Sequence, residues 1–149
     1  MIAIGSDHGG YELKEAIKGY LDSEKIPYRD FGTYSTEAVD YSDIGVVVAK
    51  AVASGECDLG IVICGTGIGI SIAANKVPGI RAALCTDTYM ARMAREHNNA
   101  NVLALGGRVL GIGLALDIVK TFMETPFSHE VRHQRRIDKI NAIEEEYKE

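Results

Sequence analysis

Between residues 59 and 75 the chain passes from an unbroken apolar run, Leu59-Gly60-Ile61-Val62-Ile63, through Cys64-Gly65-Thr66-Gly67-Ile68-Gly69, into the small-residue segment Ile70 to Asn75. A strand that is apolar on successive residues has two faces to cover, which is the situation of a central parallel strand with helices on both sides. The glycines then make a tight turn, and the small residues after them suit a helix. This one stretch therefore reads as a buried parallel strand, a tight turn and a helix N-terminus. It also places a cysteine at a strand end, before backbone N–H groups that can face an anion at a helix N-terminus. A thiol in such a field has a reason to ionise more readily than a free one.

The rest of the chain repeats the alternation. β-Branched runs predict strands at 1–5, 27–31, 59–64, 80–85 and 101–106, and the longer periodic segments predict helices at 10–24, 43–54, 68–76, 87–97, 111–124 and 129–147. Asp43 and Asp87 are N-cap candidates, Gly55 is a C-cap candidate, and Pro126 marks a break before the last helix. Strands alternating with helices imply a three-layer αβα sandwich around a five-stranded parallel, Rossmann-like sheet, with an extended C-terminal helix. At 149 residues a single domain, 1–149, is expected. The polar stretch Gly32 to Ser42 reads as a long loop, functional or simply exposed.

Bulk properties remove several function classes. A net charge of −5 argues against nucleic-acid binding through a broad basic surface. No apolar run is long enough to span a bilayer, and the first strand begins at Met1, so neither a membrane segment nor a signal peptide is expected. Three cysteines without paired spacing suit a reducing, cytoplasmic setting.

In parallel α/β sheets ligands bind beyond the carboxyl ends of the strands. The segments there are Ser6-Asp7-His8-Gly9-Gly10, Cys64-Gly65-Thr66-Gly67, Thr86-Asp87 and Gly106-Gly107-Arg108. The glycine loop is neither the G-x-G-x-x-G fingerprint nor a P-loop, so it is an anion cradle of another kind or only a tight turn. Cys64 is a base or nucleophile, or a small buried hydrophobe, the reading kept for Cys57 and Cys85. Asp7 and His8 are a proton-transfer or hydroxyl-binding pair, or a cap and a surface residue. His97, with Asn98, sits at a helix end, where a cation complements the dipole. Arg132 and Arg136 share a helical face and form a phosphate clamp or a solvated basic face. His129 and His133 have i, i+4 metal-ligand spacing, but the neighbouring arginines argue against a dication.

Taken together, Gly5-Ser6-Asp7-His8-Gly9-Gly10, Asp40-Tyr41, Ile63-Cys64-Gly65-Thr66-Gly67-Ile68-Gly69, Ala73-Ala74-Asn75-Lys76, Gly79-Ile80-Arg81-Ala82, His97-Asn98, Gly106-Gly107-Arg108 and Arg132-His133-Gln134-Arg135-Arg136 resemble type B ribose-5-phosphate isomerase along essentially the whole chain. The resemblance implies interconversion of ribose 5-phosphate and ribulose 5-phosphate through a cis-enediolate, without metal or organic cofactor. It implies Cys64 as the base, Thr66 and Asp7 as proton shuttles, and the N–H groups of Gly65, Thr66, Gly67, Ile68 and Gly69 as oxyanion donors. His97 would assist ring opening and Asn98 would contact the sugar, with His8, Arg108, Arg132 and Arg136 on hydroxyl or phosphate groups. Ile70 stands where a second branch of the family carries a glutamate base, so Cys64 places the chain in the cysteine branch. Arg135 receives no role. The resemblance further implies a homodimer, or a dimer of dimers, with the Cys64 loop of one chain facing His97 and Asn98 of the other. An allose- or galactose-phosphate isomerase is the near alternative, and a non-catalytic nucleotide-binding module the distant one.

Overall fold

Five parallel strands run in the order β2-β1-β3-β5-β4, with β1 at Ile2–Ser6, β2 at Tyr28–Asp30, β3 at Leu59–Cys64, β4 at Ala82–Leu84 and β5 at Val102–Gly106. The structure is a computed structural model that describes residues 1–148. Side chains alternate across the sheet as the pleat requires. Ile2, Ile4, Ile61, Ile63, Leu103 and Leu105 point to one face. There they meet α1 (Tyr11–Ser23), α4 (Thr88–Glu96) and α5 (Ile112–Glu124). Ala3, Val62, Cys64, Val102 and Ala104 point to the other, against α2 (Tyr41–Ala53) and α3 (Ile68–Asn75). Both faces of the central strands are buried, which explains why these strands read as continuous apolar runs. The result is the expected αβα sandwich, closed by a long α6 (Val131–Glu146).

Element ends fall within two residues of the sequence reading, and at two helix starts the local cause of the difference is visible. Helix α2 starts earlier than residue 43: Asp40 occupies the N-cap and Asp43 lies in the first turn, where its charge still complements the helix dipole. Helix α1, expected from residue 10, starts at Tyr11, because the Asp7 carboxylate accepts the Gly10 N–H at 3.1 Å and winds His8–Gly10 into a tight 3₁₀ turn before it. Asp87 caps α4 as expected, accepting from Met90 N–H at 2.8 Å. Gly55 follows the Ser54 cap of α2 with φ +83°, the left-handed residue that ends a helix.

Strand order decides where a ligand can sit. From β1 the chain moves outward to β2, then returns to place β3 on the other side of β1. The crossovers diverge at that point and leave a crevice above the carboxyl ends of β1 and β3. Strand β5 then inserts between β3 and β4, which brings a third turn to the same rim.

Candidate active site

Three turns converge at that crevice: Asp7–Gly10 after β1, Gly65–Gly67 after β3 and Gly107–Arg108 after β5. They are tied backbone to backbone. Asp7 N–H donates to the Ile63 carbonyl at 3.1 Å, Gly107 N–H to the Cys64 carbonyl at 2.8 Å, and Arg108 N–H to the Gly65 carbonyl at 3.0 Å. Gly107 permits this approach, since a Cβ there would lie 2.6 Å from the Gly9 carbonyl oxygen. Gly67 supplies the sharp entry into α3 with φ +81°, and a Cβ on it would meet the Leu105 carbonyl carbon at 2.8 Å.

A cleft of ≈ 410 Å³ opens above the turns, lined by Asp7, Tyr41, Cys64, Gly65, Thr66, Ile68, Gly69 and Arg108. Cys64 forms part of its floor, 5% exposed, with Gly67 N–H donating to Sγ at 3.1 Å. Ile68 N–H donates to Thr66 Oγ1 at 3.2 Å, which leaves the hydroxyl proton of Thr66 free to point outward. The N–H groups of Gly65 and Thr66 make no hydrogen bond among the described residues, and those of Gly69 and Ile70 belong to the open first turn of α3. Donors without partners around a sulfur are what a developing oxyanion needs. Cys57 and Cys85 lie apart from this environment. Burial pushes the Cys57 thiol up and the Cys85 thiol up to about 11, so both stay protonated near neutral pH.

His8 and Arg108 extend the site sideways into a second hollow of ≈ 200 Å³, shared with Gly9, Glu12, Thr36 and Gly107. His8 Nδ1 accepts Val39 N–H at 3.2 Å, so the loop at residues 31–40 helps orient the ring. That loop is braced from beneath by Lys14, whose ammonium is fully buried. Its Nζ donates to both oxygens of Asp30, at 2.8 and 2.7 Å, and to the Thr33 carbonyl at 2.6 Å. Lys14 was missed from sequence, although its place on the buried face of α1 beside Leu13, Ile17 and Leu21 is the signal that could have found it. Tyr41, quoted in the resemblance without a role, also lines the cleft. Its ring lies over Gly69, where a Cβ would approach Cε1 to 2.6 Å.

His97, Asn98, Arg132 and Arg136 are not in this cleft. Helix α4 runs against the strands, so its C-terminal end reaches the amino end of the sheet. Arg81, just before β4, donates from Nε to the Asn98 carbonyl at 3.0 Å, and β5 starts from there and ends beside Cys64. A strand rise of about 3.3 Å per residue puts the two ends roughly 15 Å apart or more. At that far end His97 stacks on His133 of α6, ring centroids 4.2 Å apart, with Arg132 and Arg136 on the same helix. Each chain therefore carries two separate clusters of the site residues read from sequence. One holds Asp7, His8, Cys64 to Gly69 and Arg108; the other holds His97, Asn98, Arg132 and Arg136.

The family model described as Ribose/Galactose Isomerase matches residues 2–140. Ribose-5-phosphate isomerase B of Escherichia coli is 49% identical over 97% of this chain and 96% of its own. The galactose-6-phosphate isomerase subunit LacB of Clostridium acetobutylicum is 46% identical over 96% of this chain and 83% of its own. The solved structure of Clostridium thermocellum ribose-5-phosphate isomerase B superposes with a TM-score of 0.97 at 62% identity, covering 99% of both chains. By fold, by the residues at the crevice and by these matches, the chain belongs to the ribose/galactose isomerase family.

Proposed function

We propose that the chain is an aldose–ketose isomerase, one domain over residues 1–149, acting in the cytoplasm on ribose 5-phosphate and ribulose 5-phosphate through a cis-enediolate. The observation that carries this reading is the Cys64 sulfur on the cleft floor, held by Gly67 N–H and followed in the turn by the N–H groups of Gly65 and Thr66, which lack partners among the described residues. In the aldose-to-ketose direction the Cys64 thiolate takes the proton from C2 of the open-chain sugar. The C2–H electron pair becomes the C1–C2 double bond, and the former carbonyl oxygen becomes an oxyanion facing the N–H groups of Gly65, Thr66 and Gly69, since Gly67 N–H is held by Cys64 Sγ and Ile68 N–H by Thr66 Oγ1. Thr66 and Asp7 pass a proton from O2 to O1. Cys64 then returns its proton to C1 as the carbonyl re-forms at C2. No electrons enter or leave.

A complete site needs both clusters, and a two-fold dimer would join the Cys64 cluster of each chain to the His97 cluster of the other. Three things support this arrangement. The clusters lie at opposite ends of the sheet, the open cleft has no phosphate clamp beyond Arg108 and His8 among the described residues, and α3 beside the cleft exposes Ile68 and Ile72 by 52% and 57%. In the joined site His97 would assist ring opening, Asn98 would hold a hydroxyl, and Arg132 and Arg136 would grip the phosphate.

A panel of ribose 5-phosphate, allose 6-phosphate and galactose 6-phosphate, assayed in excess EDTA, tests the reading. The highest kcat/KM is expected for ribose 5-phosphate. A hexose phosphate in first place would move the substrate toward that of the LacB relative, and no turnover of any of them would refute the isomerase assignment.

A further inference from the structure

His133 is the one ionisable ring of the His97 cluster that is almost wholly buried, 3% exposed, and every polar atom on it is engaged. Its Nε2 faces Arg132 Nε at 3.3 Å. An Arg Nε can only donate, so the His133 Nε2 must carry a lone pair. The proton of the neutral ring therefore sits on Nδ1, which lies 2.7 Å from Ser128 Oγ and 3.3 Å from a Glu130 carboxylate oxygen. Ser128 Oγ already accepts Glu130 N–H at 3.2 Å, so it is oriented as an acceptor for Nδ1–H as well. The flat side of the ring packs on His97 with the planes 32° apart. One residue thus touches both a residue read as a phosphate ligand and one read as the ring-opening group.

We propose that His133 is a positioning residue: as the neutral Nδ1–H tautomer it aims the Arg132 guanidinium through Nε2 and seats the His97 ring by stacking, and a proton on Nε2 releases Arg132 and weakens the hold on phosphate. The inference rests on the roles proposed above for Arg132 and His97. The groups facing the ring are His97 from the end of α4, Ser128 and Glu130 from the segment before α6, and Arg132 and Arg136 from α6 itself. Burial, then His97 and Arg132, disfavour the charged ring, with Glu130 opposing them, so its proton affinity lies below the ordinary histidine value. The neutral form consequently dominates at neutral pH, and acid is what switches the contact off.

Two measurements test this in the full-length protein. Long-range ¹H–¹⁵N spectra of the wild type at pH 8 should show His133 as the Nδ1–H tautomer; an Nε2–H tautomer would overturn the proposal. Inorganic phosphate binding should be compared between wild type and His133→Phe at pH 8 and pH 6. The variant keeps a flat apolar ring against His97 but has no acceptor for Arg132. Losing one hydrogen bond to a charged group predicts phosphate affinity weaker by about tenfold at pH 8. The variant should also lose the part of the pH 6 weakening that exceeds phosphate's own titration. With substrate, KM should rise while kcat stays within about twofold. Equal phosphate affinity in the two proteins at pH 8, or an unchanged pH response, would overturn the proposal. Neither the spectra nor the phosphate titration requires turnover, so a failed isomerase assay would count against the assigned function and not against this inference. If His133→Phe does not fold, the wild-type tautomer still decides.

Discussion

At the scale of single residues, Cys64 is separated from the other two cysteines by what surrounds it. Cys57 and Cys85 are buried in apolar packing that holds their protons on. Cys64 ends β3 with its sulfur toward the cleft and one backbone donor on it. Cys64→Ala should therefore fold with an unchanged thermal transition and lose ~10²–10⁴-fold in kcat, the range for removing an acid–base group. Cys85→Ala should keep kcat and lose stability instead. A Cys64→Ala enzyme with more than about a tenth of wild-type kcat would remove the thiol from the chemistry. The cysteine and its glycine turn were legible in the sequence because their role is local: strand, turn and helix N-terminus are contiguous. The tautomer of His133 was not, since it follows from Arg132, Ser128 and a ring arriving from α4.

Among the elements, α1 and the 31–40 loop show how a buried charge can serve the cleft without reaching it. Lys14 ties Asp30 at the end of β2 and the Thr33 carbonyl to α1, and Val39 farther along the loop meets His8. Removing one partner of such a pair leaves an uncompensated charge. Lys14→Met should lower the unfolding free energy by about 3 kcal/mol, the low end for a buried pair because Asp30 retains some exposure and a second partner in Lys18. The pH dependence has a definite sign. Burial pushes the Asp30 carboxyl up, but Lys14, Lys18 and the Gly32 N–H outweigh it and hold it below the ordinary aspartate range. A carboxyl depressed on folding stabilises above its unfolded value, near 3.8, and that contribution fades as pH falls through the folded value. Denaturant melts between pH 5 and 2 should show this acid limb in the wild type and a shallower one in Lys14→Met; identical limbs would show that the pair is not what acid breaks. Alternating strands and helices made the parallel sheet readable from sequence, whereas the insertion of β5 between β3 and β4 was not. That order depends on which strand edges find cover, and no local pattern records it.

For the whole molecule, the direction of the helices has a consequence that residue spacing hides. Every crossover helix returns from the carboxyl to the amino end of the sheet, so His97 at the end of α4 must stand far from Cys64 at the end of β3. The resemblance implies both clusters; the fold keeps them apart in one chain, and the proposed two-fold dimer joins them. Mixing Cys64→Ala chains with His97→Ala chains under conditions of subunit exchange tests that claim most directly. In a mixed dimer with shared sites, one site carries both substitutions and the other carries neither. Random exchange makes about half of the dimers mixed, so about a quarter of wild-type activity should return from two nearly inactive parents. If each site were built within a single chain, every site would keep one substitution, and no recovery after confirmed exchange would contradict the account.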